Sequence, residues 1–192
     1  MSALFWGHRK RISLQAFEPD HIPMLHTQLN HLDLVGRRYL PDEFSDDLPL
    51  SYQEIEAIHK KWTEKKKGFN LAVTTTEGGE LAGHISCDWG WDTHCPQVAV
   101  VIYPDYQRCG YGGEGLQTIL NYLFQNTPAY NVSGWVADWN LPGLNFALKC
   151  GFIQCGRSRR ARIREGAYSD DILVDILRDE WTVNHEESSH GA

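Results

Sequence analysis

Apolar and polar residues alternate near the start of the chain, and the pattern then changes to a helical one. The alternation covers Arg11–Phe17 and predicts a first β-strand, because successive side chains of a strand point to opposite faces. Leu25, Leu29 and Leu32 then recur at helical spacing. We expect a helix over Glu18–Val35, with a proline and acidic residues in its first turn, where the helix dipole favours negative charge.

A second helix is indicated by the residues at its two ends. Ser51 and Glu54 have the spacing of a capping box, in which each side chain bonds the backbone N–H of the other residue. Three lysines precede Gly68, and cations followed by glycine are typical of a helix end. We therefore predict a helix that begins at Ser51 and ends at Gly68.

The rest of the chain contains six predicted strands and two further helices. Glu77–Gly79 and Glu165–Gly166 are turn signals between apolar segments, and each predicts a β-hairpin. The resulting order of elements indicates the α+β class, with a mixed, mostly antiparallel central sheet flanked by helices. The predicted strands are Phe69–Thr76, Glu80–Asp88, Gln97–Tyr103, Asn131–Asp138, Phe152–Arg164 and Asp170–Arg178, and the helices are Gly112–Gln125 and Leu141–Cys150.

No repeat or linker divides the 192 residues, so we expect a single domain over 1–183 and a flexible polar tail over 184–192. The longest wholly apolar run, Val98–Tyr103, is too short to cross a membrane. The basic cluster near the start follows the apolar residues, which is the wrong order for a secretory signal. We expect a cytoplasmic protein with no membrane partner.

Charge and composition exclude several kinds of partner. The net charge is -7, whereas a nucleic-acid-binding protein needs a basic face. The five cysteines are odd in number and form no C-x-x-C pair, so we expect reduced thiols. The nine histidines lack the spacing of a zinc pair, and we predict no metal site.

A glycine-rich loop carries the first candidate chemistry. An apolar strand leads into Gln107–Gly112, and a predicted helix follows at once. Glycines at such a turn let backbone N–H groups converge on an anion, and the helix N-terminus adds partial positive charge. The pattern predicts a site for the pyrophosphate of a nucleotide-like cofactor.

The same glycines permit a second interpretation, a dinucleotide site. Gly110, Gly112 and Gly115 have the spacing G-x-G-x-x-G. Asp138 follows at about the separation expected of the acidic residue that binds the ribose in such a site. In a dinucleotide site, however, the first glycine directly follows a strand of a parallel βαβ unit. Here Pro104–Cys109 intervenes and the preceding strands look antiparallel, so an NAD enzyme is the weaker hypothesis.

Two motifs together resemble those of a known family. Gln107–Gly112 has the form Gln/Arg-x-x-Gly-x-Gly/Ala, and Asn140 is followed eleven residues later by Gly151 and Phe152. The chain therefore resembles the GCN5-related N-acetyltransferase (GNAT) superfamily. Its closing segment Ile176–Trp181 is similar to that of the Rim-like branch, which acetylates protein N-termini and small amines.

The resemblance implies an enzyme that transfers an acetyl group from acetyl-CoA directly to a primary amine, of a protein N-terminus or a small molecule. It also implies that strand backbone groups pair with the pantetheine arm, and that a strand N–H near Val101 polarises the thioester carbonyl. A homodimer is common in the Rim-like branch. The implied cofactor-binding residues are Val100, Val101 and Ile102 in the strand, Gln107, Arg108, Cys109, Gly110, Tyr111, Gly112 and Gly113 in the loop, and Asn140 and Asn145 for the arm.

The chain departs from the family at the expected acid and base. Gln97 stands where many members have a glutamate base, Ala147 where many have a tyrosine acid, and Gly143 where a serine is common. These departures leave open a second hypothesis, a catalytically weakened acyl-CoA-binding sensor or interaction module. Cys109 and Cys150 lack a neighbouring His or Asp that would activate them as acyl carriers.

Other side chains are candidates for the amine site. The candidates for an acid or base lie on or beside the hairpin expected to line this site, and they are Asp88, Asp92, His84 and His94. Trp89, Trp91 and the loop 39–49 are candidates for its wall. A weak set of bases slightly favours an α-amine, whose pKa of about 8 leaves part of it neutral at pH 7.

Overall fold

The computed structural model describes residues 11–90 and 92–182. Trp91 and the predicted tail 184–192 lie outside the described residues. The described chain forms two compact units, one from residues 11–88 and 99–118 and the other from 89–98 and 119–182. The single domain over 1–183 stays a prediction. Within 11–90 and 92–182, no helix is long and apolar enough to cross a membrane.

The described residues form four α-helices, seven β-strands and two short 3-10 helices, Pro19–His21 and Pro104–Tyr106. The helices are α1 (Ile22–Leu29), α2 (Tyr52–Thr63), α3 (Tyr111–Asn126) and α4 (Leu141–Lys149). The strands are β1 (Ile12–Ala16), β2 (Gly68–Thr75), β3 (Leu81–Asp88), β4 (Gln97–Ile102), β5 (Asn131–Ala137), β6 (Ile153–Arg164) and β7 (Ala167–Leu177).

The first unit pairs its strands in the order β1-β2-β3-β4. β1 and β2 are antiparallel with Leu14 opposite Val73, and β2 and β3 are antiparallel with Leu71 opposite Ile85. Helices α1 and α2 cover one face, because their apolar side chains and those of the strands can leave water together there. This core contains Phe17, Leu25, Leu29, Leu34, Leu50, Ile55, Ile58, Trp62, Ala72, Leu81, Val101 and Tyr103.

The second unit contains the first residues of β4 and pairs its strands in the order β4-β5-β7-β6. β4 and β5 are parallel, with Gln97 opposite Ser133, and β5 and β7 are antiparallel, with Trp135 opposite Leu173. β6 and β7 form the predicted closing hairpin. One parallel pair among antiparallel ones confirms the α+β class with a mixed, mostly antiparallel sheet.

The first helix is shorter than predicted. α1 ends at Leu29, and Leu32 is 87% exposed instead of continuing the apolar face. Asn30 explains the end, because its amide donates to the carbonyl oxygens of His26 and Leu50 and accepts from the N–H of Leu50. A long-range side-chain bond thus replaces the next helical turn.

The second helix begins as predicted and ends early. The Ser51 hydroxyl accepts from the N–H of Glu54 at 3.3 Å, and the Glu54 carboxylate accepts from the N–H of Ser51 at 2.8 Å, which confirms the capping box. The predicted end at Gly68 is wrong, because α2 ends at Thr63 and Gly68 opens β2. Gly68 has a φ of 141°, and a Cβ there would lie 2.0 Å from the Cys87 carbonyl oxygen. The glycine therefore serves the close approach of β2 and β3.

A second close approach, between β3 and β4, gives a prediction about stability. A Cβ on Gly83 would lie 2.3 Å from the Val101 carbonyl oxygen and 3.0 Å from the Ile102 Cα. We expect Gly83→Ala to lower the free energy of unfolding by about 1–3 kcal/mol, because two backbones must separate. Urea denaturation measures this change.

Gly78→Ala is the matched control in the turn of the preceding hairpin. Its Cβ would meet only the Glu80 side chain, at 3.3 Å, and that side chain can move. The control should change stability by less than about 0.5 kcal/mol. Equal effects of the two substitutions would contradict the close approach.

Candidate active site

The connection from β4 to α3 has the geometry of an anion site. Arg108 and Gly110 have φ values of 61° and 82°, so the loop bends through two left-handed residues. The N–H of Glu114 donates to the Gly110 carbonyl oxygen at 3.1 Å, which is a first-turn bond of α3. The N–H groups of residues 111–113 therefore belong to the first turn, where a helix offers them no acceptor of its own. Left-handed loop residues and a helix start together direct N–H groups towards one anion.

The surface of this loop leaves room for a ligand at Gly113. Apart from its chain neighbours and the nearby backbone of α3, a Cβ built on Gly113 would meet no atom of residues 11–90 and 92–182 within 4 Å. The Cys109 side chain is exposed, and the Cys109 carbonyl oxygen accepts from the Arg11 guanidinium at 2.6 Å. The loop residues therefore fit a diphosphate group, which needs backbone donors and open space.

Gln107 joins the loop to the end of β4. Its side-chain amide donates to the Ile102 carbonyl oxygen at 3.0 Å. The first residue of the Gln/Arg-x-x-Gly-x-Gly pattern thus has a structural task in this chain, because it fixes the distance between strand and loop. The sequence alone did not show this bond.

The backbone of β4 has two sides with different partners. The Tyr103 N–H donates to the Ala82 carbonyl oxygen of β3 at 2.9 Å. Hydrogen-bonding directions alternate along a strand, so the backbone groups of Val101 also point towards β3. Those of Val100 and Ile102 point away from β3. Of the strand residues predicted to pair with the cofactor, Val100 and Ile102 therefore have backbone groups in a suitable direction. The backbone groups of Val101 point towards β3, and this residue is 7% exposed and packs in the core.

The third glycine of G-x-G-x-x-G has a packing role. A Cβ on Gly115 would lie 2.8 Å from the Ile85 Cδ1, so the glycine lets α3 pack closely on the strands. β4 and β5 are parallel, as in a dinucleotide-binding unit. The short helical turn Pro104–Tyr106, however, separates the strand from Gly110. The loop therefore lacks the direct strand-to-glycine turn that such a site requires.

Asn140 and Asn145 lie in the second unit, at the start and middle of α4. The Asn140 side-chain oxygen accepts from the N–H of Gly143 at 3.3 Å, so Asn140 caps the helix. A Cβ on Gly143 would lie 2.6 Å from the Asn140 amide nitrogen. The serine that is common at this position in the family would therefore collide with Asn140 in this conformation. Asn145 is exposed. Contact of either residue with the cofactor stays a prediction.

His84 is a buried structural residue. Its side chain is 0% exposed, and its Nε2 lies 3.2 Å from the Arg38 carbonyl oxygen, which can only accept. Nε2 therefore carries the proton, and Nδ1 accepts from the Tyr103 hydroxyl at 3.2 Å. Burial lowers the pKa of His84 to about 3. With both nitrogens engaged, His84 has no nitrogen left for an amine substrate.

The two candidate carboxylates lie in different units and both have cationic or N–H partners. Asp88 ends β3 and forms an ion pair with Lys65 at 3.1 Å. Asp92 accepts from the His94 N–H at 2.8 Å and from the His94 ring at 3.1 Å. The backbone bond from His94 lowers the pKa of Asp92 and makes this carboxylate a weaker base.

Tyr39 lies in the loop before α2, which the sequence predicts only as a whole, over 39–49, to form part of the wall of the amine site. Tyr39 has a φ of 53°, which is uncommon outside glycine. Its phenol pKa is raised by burial and then by the negative charge of Asp88. The position is held by Arg38, whose buried guanidinium bonds Asp46 and the carbonyl oxygens of Leu29, Ser45 and Leu48. No local pattern in the sequence signals this conformation.

The buried network around His84 predicts a pH dependence of stability. The unfolded chain binds a proton at His84 below pH 6.5, whereas the folded chain does not until about pH 3. The stability present above pH 6.5 is therefore lost progressively as the pH falls through this window. His84→Phe should flatten this dependence in urea denaturation between pH 7.5 and pH 5.

Tyr103→Phe is the matched control for that experiment. It breaks the same hydrogen bond but keeps the imidazole, so it should lower stability at pH 7.5 and retain the pH dependence. A pH dependence of the His84→Phe variant as steep as that of the wild type would contradict the assignment.

Comparisons with known proteins identify the family of this chain. The profile of the acetyltransferase (GNAT) domain matches residues 11–153. The chain therefore belongs to the GNAT acetyltransferase family, and it is an acyltransferase of the N-acetyltransferase type. Enzymes of this family use acetyl-CoA, so the predicted cofactor is confirmed.

Two relatives from Bacillus subtilis (strain 168) are similar in sequence. The SPbeta prophage-derived uncharacterized N-acetyltransferase YokL is 27% identical over 188 residues, which cover 96% of this chain and 99% of the relative. The uncharacterized N-acetyltransferase YnaD is 26% identical over 125 residues, covering 64% of this chain and 74% of the relative.

Solved structures share the fold at low sequence identity. A GNAT-family acetyltransferase from Bacillus anthracis has a TM-score of 0.76 and 20% identity, covering 88% of this chain and 96% of that one. Spermidine N-acetyltransferase from Vibrio cholerae, in complex with CoA and spermine, has a TM-score of 0.75 and 18% identity, covering 90% and 98%. These likenesses support the α+β fold described above.

Proposed function

We propose that this enzyme transfers the acetyl group of acetyl-CoA directly to a primary amine, of a protein N-terminus or of a small molecule. The observation that carries the proposal is the loop between β4 and α3, with Arg108 and Gly110 in left-handed conformations and first-turn N–H groups next to them. This arrangement supports binding of the CoA diphosphate. The family membership supports the reaction type.

The chain supplies binding and orientation. The N–H groups of residues 111–113 hold the diphosphate, and the outward backbone groups of Val100 and the N–H of Ile102 pair with the pantetheine arm as a neighbouring strand would. The Ile102 carbonyl oxygen already accepts from Gln107. Asn140 and Asn145 contact the arm. Bound acetyl-CoA supplies the activated acetyl thioester, and much of the acceleration comes from holding amine and thioester together.

The weakness of the available bases favours an amine of low pKa. Asp88 is paired with Lys65, Asp92 has a lowered pKa, and His84 is fully buried. An α-amine, with a pKa of about 8, is partly neutral at pH 7, whereas an alkylamine near 10.4 needs a base. We therefore propose an α-amine acceptor, in keeping with the Rim-like branch. The spermine bound by the Vibrio cholerae enzyme makes a polyamine the competing acceptor.

A sensor without turnover is the second candidate, and two positions favour it. Gln97 has no acidic group that could act as the base. Ala147 in α4 is buried and aliphatic, whereas a tyrosine at this position could protonate the leaving thiolate. Both candidates require acetyl-CoA binding, so turnover separates them. The predicted homodimer stays a prediction for either.

The cofactor site can be tested by calorimetry with acetyl-CoA, with NADH titrated in parallel. We expect acetyl-CoA to bind at micromolar concentration, and Gly110→Val to weaken binding at least about 10-fold, because a Cβ there strains the loop and displaces Arg11. Gly166→Val is the matched control, since Gly166 has a φ of 76° in the β6–β7 turn. Binding of NADH instead of acetyl-CoA would contradict the proposal.

The acceptor is tested by release of free CoA with a panel of amines. A peptide with a free α-amine should give a kcat/KM above that of the same peptide with a blocked N-terminus and above that of spermidine. A preference for spermidine would overturn the α-amine proposal. Binding of acetyl-CoA without CoA release for any amine would favour the sensor.

Direct transfer predicts that no thiol carries the acetyl group. Burial raises the pKa of Cys150, which makes its thiol a poor nucleophile. We expect Cys150→Ser to keep kcat within about threefold of the wild type, because direct transfer forms no covalent bond to this thiol. An acetylated Cys150 peptide in mass spectrometry, together with loss of turnover in the variant, would contradict direct transfer.

A further inference from the structure

Arg11, the residue before β1, bonds the glycine loop from a distant part of the chain. Its Nη1 donates to the Cys109 carbonyl oxygen at 2.6 Å, and its Nε donates to the Glu114 carboxylate at 3.3 Å. Its backbone N–H donates to the same carboxylate at 2.8 Å, and the N–H of Ile12 adds a longer bond at 3.4 Å. The start of β1 is thus attached to both sides of the loop.

Glu114 creates an electrostatic difficulty for an anion site. Its carboxylate lies in the first turn of α3, the turn whose N–H groups are proposed to hold the diphosphate. Like charges repel, and the Glu114 side chain is only 18% exposed, so water screens its charge incompletely. The Arg11 guanidinium places a permanent positive charge against this carboxylate and offsets the repulsion.

The guanidinium also has donors left for a ligand. Its bonds to Glu114 and Cys109 use two of its five N–H donors. Nη2 lies 2.8 Å from the position of a Cβ on Gly110, and the carbon of the guanidinium lies 5.5 Å from the centre of the Tyr111 ring. The side chain is 58% exposed. A charged, held and accessible donor therefore lies beside the residue at the centre of the loop.

We propose that Arg11 is a further cofactor-binding residue, which positions the glycine loop through Cys109 and Glu114 and donates from Nη2 to the diphosphate of CoA. The inference rests on the proposed binding of acetyl-CoA to this loop. Arginine suits the task because its planar fork bonds a carboxylate, a carbonyl oxygen and a phosphate at once.

The test compares three acetyl-thioester substrates of different structure by calorimetry and kinetics. Acetyl-CoA and 3′-dephospho-acetyl-CoA contain the diphosphate, whereas S-acetylpantetheine lacks it. Arg11→Gln should weaken binding of the first two by about 10- to 100-fold, the range of a lost charge-assisted bond. With acetyl-CoA, KM should rise while kcat stays near the wild-type value, because the bond is equal in the ground and transition states. The KM for S-acetylpantetheine should not change.

Two further variants separate charge, position and fold. Arg159→Gln removes a positive charge from an exposed position on β6. It should leave the affinity and the KM for all three acetyl-thioester substrates unchanged. The double variant Arg11→Gln/Glu114→Gln removes both charges, and binding should stay weak because the donor to the phosphate is still absent. Arg11→Lys should recover only part of the affinity, since lysine keeps the charge without the fork.

Several outcomes would overturn the inference. Wild-type affinity in Arg11→Gln, or restored affinity in the double variant, would show that Arg11 makes no bond to the diphosphate. An equal loss with S-acetylpantetheine would reduce Arg11 to a structural residue. Absence of acetyl-CoA binding by the wild type would instead reject the proposed function itself, and the inference with it.

Discussion

The N–H groups at the start of a helix have no acceptor within that helix, and this constraint organises the site. At α3 these groups follow a loop with two left-handed residues and belong to a first turn with open space above Gly113. A buried backbone donor without a partner costs free energy, so such a start must meet water, a side chain or a ligand. We propose that acetyl-CoA, the cofactor of this family, is the ligand here and that backbone N–H groups bind its diphosphate.

Two polar bonds and one close packing contact then hold the loop in position. Gln107 attaches it to β4, Arg11 attaches it to the start of β1, and Gly115 lets α3 pack on Ile85. None of these contacts is strong alone, since a typical hydrogen bond contributes about 1 kcal/mol net. Together they keep the loop in one conformation before a ligand arrives, which lowers the entropy that binding must overcome.

A second polar network stabilises the opposite side of the first unit. The Arg38 guanidinium closes the loop before α2, and the Arg38 carbonyl oxygen accepts from the neutral ring of His84. His84 in turn accepts from Tyr103, the residue after β4. The network therefore connects the loop around Tyr39 with the strand proposed to bind the pantetheine arm. Buried polar groups are retained here because each has a partner; an unpaired one would be costly.

The sequence by itself determined the α+β class, the order of the elements and the glycine-rich connection between a strand and a helix, for which it predicts a cofactor site. These features depend on local signals: alternation in β1, the capping box of Ser51 and Glu54, and glycines between a strand and a helix. Only the tertiary structure decided where α1 and α2 end, because Asn30 bonds Leu50 and Gly68 packs against Cys87, residues distant in sequence. It also decided that His84 is a buried structural residue and that Arg11 meets Glu114. A side chain's chemistry depends on its burial and partners, and contacts across 103 positions of sequence leave no periodic trace.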